Sequence, residues 1–94
     1  LRELKFDTPE DEYNYELDRN DTHRMLLKVL LDDKMKNERI RKSVDVHVAK
    51  SDELREQAVT QADNKDFETA IKTLEKSTKE LVMAIRSAGI YIPG

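Results

Sequence analysis

Residues 66–88, DFETAIKTLEKSTKELVMAIRSA, decide the fold of this 94-residue chain. Apolar and small residues recur along the stretch at spacings of four and three, which places them on one face of a helix. They are Phe67, Ile71, Leu74, Thr78, Leu81, Ile85 and Ala88. Beside them Ala70, Ser77 and Ala84 repeat every seven residues, and such small side chains let a neighbouring backbone come close. The stretch therefore predicts a helix packed against a partner.

The segment before this helix predicts the partner. ADNKDFE, at 62–68, contains Asp63, Asn64 and Asp66, which bond readily to nearby backbone groups and cap helices. From 22 to 62 the chain has neither Gly nor Pro, so we expect a long helix antiparallel to the one at 66–88. Within it, DDKMKNER at 32–39 is almost entirely polar and indicates either a solvent-facing section or a bend. The sequence leaves open whether this helix is continuous.

Both ends of the chain carry apolar residues outside this hairpin. Thr8 and Pro9 fit the cap and first position of a helix, so we expect an acidic arm and a short helix within 1–21. We expect that helix to break at RNDTH, residues 19–23, and a helix running straight through is the alternative. GIYIPG, at 89–94, predicts an apolar extended tail that begins at Gly89, which suits the left-handed position after a helix.

The predicted fold is an all-α single domain, in which a long antiparallel helical hairpin carries a short N-terminal helix and an extended C-terminal tail. At 1.5 Å per residue, a helix over 22–62 would extend about 60 Å and one over 66–88 about 35 Å. The second helix would then leave the part before Ile40 uncovered. An extended tail of five residues reaches about 16 Å, far enough to lie over that part.

The uncovered part holds the most apolar patch in the sequence, and we expect an interaction surface there. Between Met25 and Leu31 the apolar residues cover about two thirds of a helix circumference, more than one neighbour buries. The predicted surface consists of Met25, Leu26, Leu27, Leu30, Leu31, Met35, Ile90, Tyr91, Ile92, Phe6 and Tyr13. We therefore expect a non-enzymatic helical interaction or structural subunit, forming a homo-oligomer or docking as an accessory chain in a larger assembly.

The charges of the chain are segregated along it. Charged residues make up 39% of the sequence and the formal net charge is −3, yet residues 1–22 carry −5 and residues 23–50 carry +4. We expect the acidic arm to lie on the basic stretch, within a chain or between chains. The basic cluster contains Lys34, Lys36, Arg39, Arg41 and Lys42. No aromatic residues are interleaved with it and the whole chain is acidic, which disfavours nucleic acid as a partner.

The sequence offers little for catalysis or for a cofactor. It has no cysteine, and its two histidines, His23 and His47, would lie about 36 Å apart along one helix, too far to share a metal ion. No serine is spaced from a base in a way that indicates a catalytic nucleophile–base pair. We expect neither an enzyme nor a cofactor. The alternative hypothesis is a small exported helical bundle that binds a metal ion, haem or an apolar ligand between its helices.

The start of the chain bears on localisation. Leu1 in place of Met indicates a processed product or a fragment, which favours an exported or periplasmic mature chain over a cytoplasmic one. The longest apolar run, MLLKVLL at 25–31, is too short to span a bilayer.

Residues 54–77, LREQAVTQADNKDFETAIKTLEKS, resemble one tetratricopeptide-type helical hairpin, a likeness that extends over about 51–84. Leu54 and Ala58 stand where that family has the large and small residues of its first helix, and Phe67 stands where it has a Tyr after the turn. Ala70, Ile71, Leu74 and Ser77 match its second helix. Lys65 departs from the family's preferred Gly, and no second copy follows. The resemblance implies a scaffold for protein contacts.

Overall fold

A computed structural model of the chain describes residues 5–91 and is built from three α-helices. They are α1 at Pro9–Leu31, α2 at Glu38–Asp63 and α3 at Phe67–Ser87, with a short 3-10 turn at Lys34–Lys36 between the first two. The described residues contain no strand, so the all-α prediction is confirmed. The predicted antiparallel hairpin is confirmed as well, and α2 and α3 are its two helices.

The helix predicted over 22–62 is not continuous. The chain leaves α1 at Leu31 and passes through the 3-10 turn. It begins α2 after Asn37, whose backbone is extended with a φ of −80° and a ψ of 117°. The Asn37 side chain accepts a hydrogen bond of 3.2 Å from the backbone N–H of Ile40 and so caps α2. The polar segment at 32–39 is therefore a bend, which was the second of its two interpretations.

The predicted short N-terminal helix is also wrong, because α1 runs straight through 19–23 and has 23 residues. It starts as expected, since Thr8 Oγ1 accepts a hydrogen bond of 3.1 Å from the backbone N–H of Asp11 and Pro9 opens the helix. Asn20 does not break the helix because its side chain points into the interior and bonds to α3. With the bend after α1, the predicted mismatch between one long and one short helix disappears: α2 has 26 residues and α3 has 21.

The central helix of the bundle is α3. Tyr13 near the start of α1 packs in one cluster with Ile71, and Leu31 at its end packs in another with Ile85, so α1 runs parallel to α3. No Cα atom of α1 lies within 8 Å of a Cα atom of α2. The result is a flat molecule of 43 × 32 × 15 Å. Its radius of gyration is 14.3 Å, above the roughly 12 Å of a compact domain of this length.

The core consists of two apolar clusters. The first, towards the α2–α3 turn, contains Tyr13, Ala58, Ala62, Ala70, Ile71 and Leu74, with Leu17 and Phe67 beside it. The second, towards the other end, contains Leu31, Val44, Ala84, Ile85 and Ala88, with Leu27, Met35, Ile40, Val48 and Ile90 beside it. Between them lie buried polar side chains, among which Asn20, Ser51 and Ser77 are fully shielded from solvent.

The turn between α2 and α3 follows the sequence prediction. Asp66 caps α3, because its carboxylate accepts a hydrogen bond of 3.4 Å from the backbone N–H of Thr69. Lys65 has a φ of +64°, the left-handed conformation that glycine adopts most easily. At the far end of α3, Gly89 has a φ of +85°, as predicted for the residue that follows the helix.

Candidate functional site

Four apolar side chains on the second half of α1 point away from the rest of the bundle. Met25, Leu26, Val29 and Leu30, together called the α1 outer face below, are 67%, 38%, 71% and 36% exposed. At about 100° per residue, Val29 lies about 180° around the helix from the buried Asn20, and Met25 lies about 140° from it. Met25 and Val29 therefore lie opposite the side of α1 that packs on α3, and Leu26 and Leu30 lie at the edges of the face.

The structure divides the predicted interaction surface. Met25, Leu26 and Leu30 are exposed as expected, and they lie within two turns of one helix. Tyr13 and Leu31 belong to the core, with exposures of 7% and 1%, so including them in the surface was wrong. Their side chains face α3 and pack in the first and second clusters.

The other predicted surface residues lie elsewhere. Leu27, Met35 and Ile90 are half-buried against the second cluster. Phe6 packs on Tyr15, with ring centroids 5.3 Å apart, about 15 Å along α1 from the outer face. Tyr91 is exposed, with the Arg86 guanidinium 5.6 Å from its ring centroid. The prediction for Ile92 falls outside the described residues.

The predicted surface omits Val29, which is the most exposed side chain of the α1 outer face. Helical periodicity contained the signal, since Val29 is four residues after Met25 on the same stripe. That signal depends on knowing which side of α1 is buried. The sequence alone did not show that Asn20 marks the buried side.

A polar layer of Asn20, Arg24, Ser51, Arg55, Ser77 and Thr78 separates the two apolar clusters. At its centre Asn20 Nδ2 donates hydrogen bonds to Ser77 Oγ at 3.1 Å and to Thr78 Oγ1 at 2.9 Å. Asn20 Oδ1 accepts from Arg24 Nε at 3.0 Å and from Arg55 Nη1 at 2.7 Å. Every hydrogen-bonding position of this buried amide is thereby occupied, which removes the penalty of burying it.

The two arginines of the polar layer join α1 to α2. Arg24, on α1, donates to Ser51 Oγ at 3.1 Å and forms an ion pair with Asp52. Arg55, on α2, pairs with Asp21 at 2.8 Å. Since each guanidinium bonds to a buried oxygen and a carboxylate, the layer fixes the rotation of α1 relative to the other two helices.

A close approach of α2 and α3 is also in this layer. Ser77 Oγ donates a hydrogen bond of 2.7 Å to the backbone carbonyl of Ser51, and the two hydroxyl oxygens are 2.8 Å apart. Such contact between a side chain and a neighbouring backbone requires a small residue at 77. The close approach predicted from Ala70, Ser77 and Ala84 is thus observed at Ser77.

Opposite charges lie at opposite ends of the molecule. The first half of α1 is acidic, with Glu10, Asp11, Glu12, Glu16, Asp18 and Asp21. The basic cluster follows the end of α1, which lies about 33 Å from Pro9. That distance exceeds the Debye length of about 8 Å at physiological salt. Within the described residues, the acidic half of α1 therefore does not lie on the basic cluster of its own chain, and contact between chains stays a prediction.

Clefts are present where α1 and α2 diverge over α3. One holds about 140 Å³ and is lined by Arg24, Leu27, Lys28, Val48 and Leu81. A neighbouring depression of about 400 Å³ opens to solvent beside Leu31 and Met35. Among the residues from 5 to 91, no three His, Asp or Glu side chains are placed to hold a metal ion.

His23 and His47 have separate partners. His23 Nδ1 lies 2.9 Å from the backbone carbonyl of Arg19, and His47 Nδ1 lies 2.9 Å from the Glu80 carboxylate. The helices of the described part are too short or too polar for any of them to cross a membrane.

Comparison with known proteins gives no relative for this chain. No family model, no curated protein and no solved structure matches it.

Proposed function

We propose that this protein is a non-enzymatic helical subunit that binds another protein chain through the α1 outer face, by self-association or by docking into a larger assembly. The observation that carries the proposal is the exposure of four apolar side chains within six residues of one helix. Complete burial of such a side chain contributes about 1.5 to 3 kcal/mol. A partner chain that covers the face gains much of that free energy.

The shape of the molecule supports the same function. A folded monomer of 11.0 kDa is expected to expose about 5,600 Å², whereas this chain exposes 6722 Å². The backbones of α1 and α2 both pack on α3 and do not approach each other, so each helix keeps an uncovered side. A partner chain that packs against an uncovered side buries surface that this flat arrangement leaves exposed.

The polar layer supports the proposal because it holds the α1 outer face in one orientation. Asn20 bonds to α3 and accepts from Arg55 of α2, so the rotation of α1 is fixed seven residues before the midpoint of the face. A pre-ordered face loses less conformational entropy on binding than a mobile one.

The resemblance to a tetratricopeptide-type hairpin favours a scaffold role as well. Lys65, at the position where that family prefers Gly, has the left-handed backbone that glycine favours. We therefore propose that the α2–α3 hairpin is a scaffold that supports α1.

A ligand-binding bundle is less well supported by the two clefts beside Leu81 and Met35. The cleft beside Leu81 holds about 140 Å³, whereas pockets for drug-sized ligands hold about 300 to 1,000 Å³. The larger depression near Met35 is open to solvent. Neither matches an enclosed apolar pocket with converging polar groups.

Photo-cross-linking tests the proposed function. A photoreactive phenylalanine derivative replaces Val29 in one variant and Val46 in a control, because these valines are similarly exposed, at 71% and 65%. After irradiation in the source cell, we expect a covalent adduct with a second protein chain at position 29 and much less at 46. Equal adducts at both positions, or none at 29, would contradict the proposal. Mass spectrometry of the adduct distinguishes a second copy from a different protein.

A further inference from the structure

We infer that the partner of the α1 outer face is a second copy of this chain, with the two α1 helices antiparallel about a two-fold axis through the face. This inference rests on the proposed function and names its partner. Its argument comes from the distribution of charge along α1 and the turn after it.

Acidic residues continue the stripe of the outer face towards the N-terminus of α1. Asp11, Asp18 and Met25 are spaced by seven, so they lie on one line along the helix. Both aspartates are exposed. Asp18 forms no ion pair with any described residue. On the N-terminal side of the apolar face, the surface of α1 therefore carries negative charge that no ion pair of Asp18 neutralises.

Basic residues follow the other end of the same face, after the exposed Asp32 and Asp33. Lys34 and Lys36 are in the 3-10 turn that follows α1, and Arg39 and Arg41 are in the first turn of α2. Lys34, Arg39 and Arg41 have no ion pair among residues 5–91, while Lys36 has only a 3.5 Å contact with the exposed Asp33. Positive charge with few ion-pair partners is thus concentrated in the chain segment that follows the second end of the apolar face, nearest to it at Lys34 and Lys36.

An antiparallel pair of α1 helices brings these two charged regions together twice. With the axis midway between Leu26 and Val29, Asp18 lies about 14 Å from the axis, and the turn with Lys34 and Lys36 lies at a similar distance on the other side. A parallel pair would instead set Asp18 against Asp18 and lysine against lysine, which costs binding free energy. Charge thus selects both the partner and its orientation.

The antiparallel arrangement also supplies contact area. Four side chains alone cover less than the roughly 800 Å² per partner that a standard interface buries. Antiparallel pairing extends the contact along α1 into the 3-10 turn of the partner. We expect a dimer that dissociates in the micromolar range and weakens as salt rises, because exposed ion pairs are screened.

Disulfide trapping tests the arrangement, and the chain is suited to it because it has no cysteine of its own. Thr22→Cys and Asp33→Cys lie on either side of the face at exposed positions. The second removes the carboxylate 3.5 Å from Lys36, and both variants keep Asp18, Lys34 and Lys36. Each full-length variant is incubated alone and in an equal mixture in a glutathione redox buffer, after circular dichroism has confirmed its helix content.

We expect the mixture to give a mixed disulfide dimer between positions 22 and 33, at least about tenfold more than Thr22→Cys alone gives, and to lose it when Val29→Ser is added to both chains. Disulfide dimers of Thr22→Cys alone would mean parallel pairing, which overturns the inference but leaves the proposed function intact. No disulfide dimer, together with a monomeric mass at about 100 μM, would overturn self-association. The cross-linking at position 29 then decides separately whether another protein binds.

Discussion

Arg55, on α2, donates a hydrogen bond of 2.7 Å to Asn20 Oδ1, on α1, and so joins two helices whose backbones do not touch. Asn20 is completely buried and bonds to α3 through its amide nitrogen. One side chain thereby links all three helices. The orientation of α1, and with it the direction of the α1 outer face, depends on this residue.

Replacing Asn20 tests this role. Asn20→Ala removes four hydrogen bonds from the polar layer, two of them from charged guanidinium groups. We expect the free energy of unfolding to fall by about 1 to 3 kcal/mol in urea denaturation. Asn14→Ala, at an exposed position of the same helix, is the control and should change it by less than about 0.5 kcal/mol. Equal effects of the two substitutions would show that the polar layer does not hold α1.

Ser77 sets the distance between α2 and α3. Its hydroxyl reaches the backbone carbonyl of Ser51, so no room exists for a larger side chain. Ser77→Leu should lower the free energy of unfolding by about 1 to 3 kcal/mol through overpacking. Ser77→Ala, which keeps the close approach and removes hydrogen bonds only, should cost about 0.5 to 1.5 kcal/mol. A leucine tolerated as well as alanine at position 77 would rule out the close approach.

Glu75 makes stability depend on pH. Partial burial of its carboxyl group raises its pKa above 4.5, and the nearby charges of Glu16 and Glu12 raise it further, against the opposing effect of Arg19 and Lys72. The folded protein therefore holds this proton more tightly than the unfolded chain does. The stability gained from protonation is complete below the unfolded pKa and is lost as pH rises through the raised pKa.

Glu75→Gln should consequently raise the melting temperature at pH 7, where the wild-type carboxylate is ionised. The difference from wild type should shrink as pH falls below 4.5, the ordinary pKa, because the wild-type group is then protonated. Melting curves over this pH range, with Glu68→Gln as an exposed control on the same helix, provide the measurement. A gain that is constant with pH would exclude titration of Glu75 as its cause.

Lys65 occupies a backbone conformation that costs a non-glycine residue about 1 to 2 kcal/mol. Lys65→Gly relieves that strain, while the greater freedom of glycine in the unfolded chain offsets about 0.5 to 1 kcal/mol of the gain. We expect a net increase in the free energy of unfolding of about 0.5 to 1 kcal/mol. Asn64→Gly, at the neighbouring residue with a φ of −86°, should lower it. A lower free energy of unfolding for both substitutions would show that the backbone of Lys65 is not strained.

The hairpin could be predicted from the sequence because its signals are local. The spacing from Phe67 to Ala88 predicts α3, and Asp66 caps that helix as expected. Thr8 and Pro9 likewise mark the start of α1. Each of these features depends on residues within one or two helical turns.

The position of the bend could not be predicted because two segments offer the same cap residues. Asn20 and Asn37 are both able to start a helix, but only Asn37 does so. Asn20 bonds instead to Ser77 and Thr78, which are 57 and 58 residues away in the chain. The choice between a local cap and a buried amide is therefore made by tertiary contacts, which override local propensity.

The same contacts explain how far the interaction surface could be predicted. Apolar residues cover about two thirds of the circumference of the second half of α1, so composition alone indicates that some of them remain exposed. The sequence did not show which side faces α3. For that reason the predicted surface includes Leu31 and lacks Val29, whereas in the structure Leu31 is buried and Val29 is exposed.

Sedimentation velocity of the wild-type chain beside two variants tests most directly whether the α1 outer face is an interface. Val29→Asp places a charge on the face, and Val46→Asp places one at a similarly exposed site of α2. We expect wild type and Val46→Asp to sediment as dimers at about 100 μM and Val29→Asp as a monomer of 11.0 kDa, with unchanged helix content. One and the same mass for all three proteins would contradict self-association through the α1 outer face.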